Sequence, residues 1–125
     1  VREDWVIEDR NLSDGQRGDD FEFRLPEQMP TAFVCNCDLT AGILINVLEK
    51  KGYRVPEDIS VIGFNDGPMA ARPEFQLTTI AQQRLELGRT AVRCLIGMIH
   101  TPDQHPVSQY LKPKLILRNT VQKRS

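Results

Sequence analysis

The stretch that most constrains this chain is Ile59-Ser60-Val61-Ile62-Gly63-Phe64, a short and mainly apolar run. Pro56 leads into it, and Asn65-Asp66-Gly67-Pro68 ends it with a strong turn signal. An apolar run of that length, rich in β-branched residues, reads as a strand buried on both faces. A parallel sheet covered by helices requires such strands. Asn65 and Asp66 then fall just beyond the strand's carboxyl end, where open α/β sheets bind ligands. Capping of a loop is the alternative role for the same pair, and from local pattern the two stand level.

The chain has 125 residues, 40% of them hydrophobic and 26% charged, which suits one domain with a real core. Sixteen basic and 17 acidic side chains leave a formal net charge of -1. That balance argues against this chain gripping nucleic acid itself, which needs a concentrated basic face. Lys112, Lys114, Arg118, Lys123 and Arg124 are scattered and read as a solvated strand edge and terminus rather than a phosphate site. Val1-Arg2-Glu3-Asp4 does not resemble a signal peptide, and no apolar run approaches the ~20 residues of a membrane span. Three cysteines, with Cys35 and Cys37 two apart, fit free thiols in a reducing compartment. A cytoplasmic location without membrane contact is therefore expected. The chain lacks an initiator Met and is read as a piece of something longer.

Taken in order, strand and helix signals alternate. Trp5-Val6-Ile7-Glu8 is expected as a strand, and Asn11-Leu12-Ser13-Asp14-Gly15 as a loop. From about Gln16 to Leu25, Phe21 and Leu25 sit four apart, compatible with a short helix that ends before Pro26. Thr31-Ala32-Phe33-Val34-Cys35 reads as a second buried strand. Asp38 is placed to cap the helix that follows, its carboxylate accepting from first-turn N–H groups. Leu39, Ile43, Val47 and Ala41, Leu44, Leu48 recur at helical spacing. Ile45 widens the apolar surface, so this helix should be covered on two sides, one by the sheet and one by a partner. Lys50-Lys51 suit its carboxyl end, and Gly52 supplies a left-handed stop.

Gly67-Pro68 and Arg72-Pro73 bracket an irregular loop. Leu77-Thr78-Thr79-Ile80 reads as a strand, and Leu85, Gly88, Val92, Leu95, Ile96 and Ile99 mark an amphipathic helix to about His100. Gly88 costs about 1 kcal/mol against Ala in a helix, which suggests close packing on another backbone. Thr101-Pro102-Asp103 is a turn and Leu115-Ile116-Leu117 a last strand. The fold class is α/β with a mostly parallel sheet flanked by helices.

Catalytic motifs are mostly absent. The sequence has no G-x-G-x-x-G, no Walker-type glycine loop and no G-x-S-x-G elbow, so no cofactor and no catalytic activity are expected. His100 and His105 flank a Pro-containing turn without a Cys pair at zinc spacing, so no metal is expected. Cys35 and Cys37 read as small packing residues. Glu8-Asp9, Asp66 and Lys112-Pro113 loosely echo a phosphoacceptor receiver domain, in which carboxylates hold Mg²⁺ and a Lys pairs with the phosphoryl group. Here, however, Lys112-Pro113 comes before the last strand.

Pro30-Thr31-Ala32-Phe33-Val34-Cys35-Asn36-Cys37-Asp38, the helix to Gly52, and Val55-Pro56-Glu57-Asp58-Ile59-Ser60-Val61-Ile62-Gly63-Phe64-Asn65-Asp66 together resemble the LacI/GalR family of transcriptional regulators. Leu77-Thr78-Thr79-Ile80 and then Leu87-Gly88 continue the pattern in order. The likeness covers roughly Met29 to Asn119. Solute-binding proteins of sugar transporters share the fold but match the central run less well.

The resemblance implies the carboxyl-terminal part of a periplasmic-binding-protein-like core, without the DNA-binding headpiece and much of the first subdomain. It implies a small effector, a sugar or nucleobase, bound between two subdomains, with DNA reached only through the missing headpiece. The effector positions would fall at Asn36, Cys37, Asn65 and Asp66, with Asn11 in the region of a further cleft-lining residue. Cys37 stands where the family usually has Asn or Ser, and Asn65 stands where it often has an acidic residue. A homodimer or higher oligomer would form through the first helix and the loop after the central strand, at Leu39, Ile43, Ile45, Asn46, Met69 and Arg72. The helix from Leu85 to Ile99 would pack in the other subdomain, so in this chain alone its apolar face is expected to swap or self-associate.

Overall fold

A few buried strand residues, and the helix that covers them, set the order among the residues described. The computed structural model describes residues 2–7, 25–101 and 108–124. Strands β1 (Ala32–Val34), β2 (Ser60–Phe64), β3 (Thr79–Ala81) and β4 (Lys114–Ile116) form one sheet in the order β1-β2-β3-β4. The first two pairings are parallel, with Phe33 beside Val61 and Gly63 beside Thr79. The last is antiparallel, with Ile80 beside Leu115. Among the described residues two α-helices, α1 (Asp38–Lys50) and α2 (Arg84–His100), accompany the sheet, and α1 packs on β2. The expected α/β class with a mostly parallel sheet is what is found.

Ile59, Val61, Phe33, Leu44, Leu48 and Leu77 make the centre of the core. Burial of a side chain of this size contributes about 1.5–3 kcal/mol. The carboxyl end of α1 shows why Gly52 stands where it does. Its φ of 89° lets the Tyr53 N–H return to the Leu48 carbonyl at 3.0 Å and its own N–H reach Glu49 at 2.9 Å. Those two bonds satisfy carbonyls the helix would otherwise leave open, and Tyr53 then packs half-buried against the core.

The turn into β2 is clipped by Arg54 and Asp58. The guanidinium donates to both Asp58 oxygens at 2.8 and 2.9 Å, and the Arg54 backbone N–H donates at 2.8 Å. The Arg54 side-chain bonds first, and its backbone N–H second, hold the Asp58 carboxyl well below the usual carboxylate range. A depressed folded value gives stability that is complete above the ordinary value of 3.8 and is lost as pH falls below it. Asp58→Asn should therefore flatten the acid side of the stability profile, seen in urea midpoints taken at about pH 6 and about pH 3. The pair is partly exposed, so solvent screening keeps the change small.

Three expectations are corrected. Trp5-Val6-Ile7-Glu8 does not form a strand: Glu3–Trp5 is a single 3-10 turn, Val6 and Ile7 lie outside any ladder, and Glu8 falls outside the described residues. The Trp5 amide is turned back to Arg2 at 3.1 Å, and the indole N–H is taken by the Gln28 carbonyl at 3.0 Å. Asp38 is not the cap of α1, because it is the first helical residue and Cys37 holds the cap position. Ile45 does not widen an open face of α1, being only 4% exposed within the chain's own core. The second side of α1 is partly covered by the chain itself, since Met69 and Phe75 close over Gly42. The helix expected from Gln16 and the turn at Pro102-Asp103 lie outside the described residues, as do Asn11 and His105.

Candidate functional site

Parallel pairing puts the carboxyl ends of β1, β2 and β3 along one edge of the sheet. The residues that leave those ends are Asn36-Cys37, Asn65-Asp66 and Gln82-Gln83. A side-chain amide can both donate and accept hydrogen bonds without carrying charge. Asn36 is exposed and lines a concavity of about 320 Å³ beside β1, together with Trp5, Phe33 and Thr40. A second concavity of about 310 Å³ lies at the ends of β2 and β3, lined by Phe64, Gln82, Gln83, Leu87 and Tyr110 among others.

Cys37 is half-buried, and its sulfur shares a hydrogen bond with the Thr40 hydroxyl at 3.3 Å. Asn65 and Asp66 are half-buried with φ of 100° and 50°, two successive residues in the left-handed region. Such conformations are uncommon outside glycine, with Asn and Asp the most tolerant of the rest. The turn is held from several directions. Asn65 N–H donates to the Ile80 carbonyl at 2.9 Å, and Gly67 N–H donates to Asp38 Oδ2 at 2.6 Å. Arg118 Nη2 pairs with Asp66 Oδ1 at 2.7 Å, while its Nη1 donates to the Leu77 carbonyl at 2.8 Å.

The expected site residues are thus brought together only in part. Asn36, Cys37, Asn65 and Asp66 share the strand-end edge, but Asp66 spends one oxygen on Arg118. Phe64, Gln82 and Tyr110 were not anticipated as lining residues. The rule that singled out Asn65, a polar residue just past a strand end, applies equally to Gln82 after Ala81, and would have found it. Among the residues expected at a dimer contact, Leu39, Asn46 and Arg72 are exposed, and Ile43 and Met69 are half-buried. Helix α2 buries none of its 17 residues.

With Asp66 paired to Arg118, and Arg84 donating to the Asp66 carbonyl at 3.5 Å, the edge carries the amides of Asn36, Asn65 and Gln82, the Cys37 thiol and the Tyr110 ring. Among the described residues no three His, Cys, Asp or Glu side chains gather as a metal site, and no helix is long and apolar enough to cross a membrane. In the receiver-like alternative Asp66 would take the phosphoryl group, but here it is the ion-pair partner of Arg118; Glu8 and Asp9 lie outside the described residues.

A sheet of this order with ligand-type residues at its strand ends defines a periplasmic-binding-protein-like core. The chain belongs to that family: the model described as "Periplasmic binding protein-like domain" matches residues 2–121. Its relatives are regulators of the LacI type. It is 39% identical over 102 residues to the arabinose metabolism transcriptional repressor of Geobacillus stearothermophilus, covering 81% of this chain and 28% of that protein. It is 42% identical over 99 residues to the HTH-type transcriptional repressor PurR of Haemophilus influenzae, covering 76% of this chain and 29% of that one. In three dimensions it is similar to a LacI family transcriptional regulator from Enterococcus faecalis solved with bound ribose. The TM-score is 0.68 at 33% identity, over 76% of this chain and 36% of that one. The chain spans only about a third of the length of such relatives, between 28% and 37%.

Proposed function

We propose that this chain is the carboxyl-terminal part of the effector-binding and dimerisation core of a LacI-type transcriptional regulator that works by binding rather than catalysis. The observation that carries the reading is the strand-end edge, where Asn36, Asn65 and Gln82 present neutral amides from three neighbouring strands. The named relatives are repressors, and the Enterococcus faecalis structure holds ribose, which supports a small polyhydroxylated effector. A DNA-binding headpiece and a first subdomain would complete the protein, which would act in the cytoplasm as a homodimer. Leu39, Asn46 and Arg72, with Ile43 and Met69 beside them, are the residues proposed for that contact. Ligand between the subdomains would shift their relative orientation through its differential affinity for the two arrangements, and so alter headpiece spacing.

Asn65→Gly tests the site within the longer protein. Glycine accepts a φ of 100° freely, so the variant should lose the amide while the fold holds or gains slightly. Titration with D-ribose and L-arabinose by calorimetry is the measurement. Loss of one good hydrogen bond should weaken whichever pentose binds by about tenfold or more, with an unchanged thermal midpoint. Unchanged affinity would remove Asn65 from the site.

A further inference from the structure

Asp38 does not hold the cap position, yet the residue is only 5% exposed and both of its carboxylate oxygens are engaged elsewhere. Oδ2 accepts from the Gly67 N–H at 2.6 Å, across 29 residues of chain. Oδ1 accepts from the Thr79 hydroxyl at 2.5 Å, across 41 residues, and Thr79 is itself completely buried. One carboxylate therefore joins the start of α1, the turn after β2 and the first residue of β3. Hydrogen bonds of this length to a carboxyl group are among the stronger ones in proteins.

A second observation points to the same group. Gly63 lies in β2 without a positive φ, so its backbone does not call for glycine. Space does. A Cβ at this position would run into Asp38 Oδ1 and stand 2.8 Å from a Leu77 methyl and 3.2 Å from Asp38 Cα. The strand is left without a side chain at the point where the carboxylate enters.

We propose that Asp38 is a positioning residue of the candidate effector site, clamping the Asn65-Asp66-Gly67 turn to the start of β3 so that Asn65 keeps its left-handed conformation. This rests on the effector reading of Asn65 given above. Asp38 does not touch the ligand. It acts through Gly67 and Thr79, with Gly63 kept small to admit it.

Thr79→Val removes the hydroxyl at nearly constant volume, and Gly63→Ala pushes on the carboxylate from the opposite side. Amide hydrogen exchange of the 125-residue chain, followed by NMR, reads the effect. Gly67 and Asn65 amides should exchange at least about tenfold faster in Thr79→Val, with Cys35, Ser60 and Tyr53 amides unchanged and Thr79→Ser restoring the parent rates. Gly63→Ala, where it folds, should release the same two amides. Equal acceleration at every amide would make Asp38 a general fold contact and overturn the proposal, as would an unchanged Gly67. In the longer protein, Thr79→Val should also weaken pentose binding by about tenfold, with Thr79→Ser close to the parent. Parent protein that binds neither pentose would count against the effector reading alone, because the exchange result decides the clamp independently.

Discussion

Thr120→Val is expected to be severely destabilising although it changes a single atom for a methyl group. The Thr120 hydroxyl donates to the Val61 carbonyl at 2.7 Å and accepts from the Thr78 N–H at 2.9 Å. Thr120 is 4% exposed, and Thr78 and Val61 are completely buried. Valine keeps the shape but strips a partner from both backbone groups in a place water does not reach. Each such loss costs about 1–3 kcal/mol, so a total of roughly 2–6 kcal/mol is expected. The urea midpoint should fall sharply at an unchanged slope, and Thr120→Ser should recover most of it. A midpoint within error of the parent would mean the hydroxyl bridge contributes nothing.

Self-association of the isolated 125-residue chain is the second large effect expected, with a second copy lying along α2. Leu85, Gly88, Val92, Leu95 and Ile99 alternate at three- and four-residue spacing, the repeat of helices that pair along a seam. Leu85 and Ile99 are 69% and 73% exposed, and no other helix or strand covers this face among the described residues. A Cβ at Gly88 would meet nothing within 4 Å, so the room that glycine leaves is open to an incoming backbone. The helix is about 25 Å long, enough for several layers of contact. Sedimentation velocity should show dimers or larger species, and Leu95→Glu should return the chain to monomer with its circular dichroism preserved. A parent chain that stays monomeric at the highest concentration reached would sink the expectation.

Elements whose shape is dictated locally were legible in the sequence. The apolar run before Asn65-Asp66 became β2, and the spacing from Leu39 to Leu48 became α1, stopped at Gly52 by its left-handed backbone. The run from Leu85 to Ile99 became α2. What was not legible depends on contacts far apart in the chain. A carboxylate at the start of a helix looks like a cap, and only the fold brings Gly67 and Thr79 to Asp38. An isoleucine that widens an apolar stripe looks like an interface, and only the loop over Gly42 shows that the chain supplies part of its own cover. A run such as Trp5-Val6-Ile7 has strand composition, but a strand exists only where a ladder takes up its backbone. Likewise the pairing of Asp66 with Arg118, 52 residues later, cannot be read from the turn that holds Asp66.

Residues 118–122 bear on the order in which the domain can close. Arg118, Asn119, Thr120 and Gln122 reach back to Thr78, Gln76, Val61 and Ser60, so strands laid down earlier are fastened by residues synthesised later. During translation β1, α1, β2 and β3 can emerge and gather, but Thr78 and Val61 wait for Thr120 to leave the ribosome. Contacts of such sequence separation form late because the loop must close before they reward it. The nascent domain therefore carries open backbone groups until Thr120 is free, an interval in which a chaperone, or a neighbouring nascent copy, has its best access.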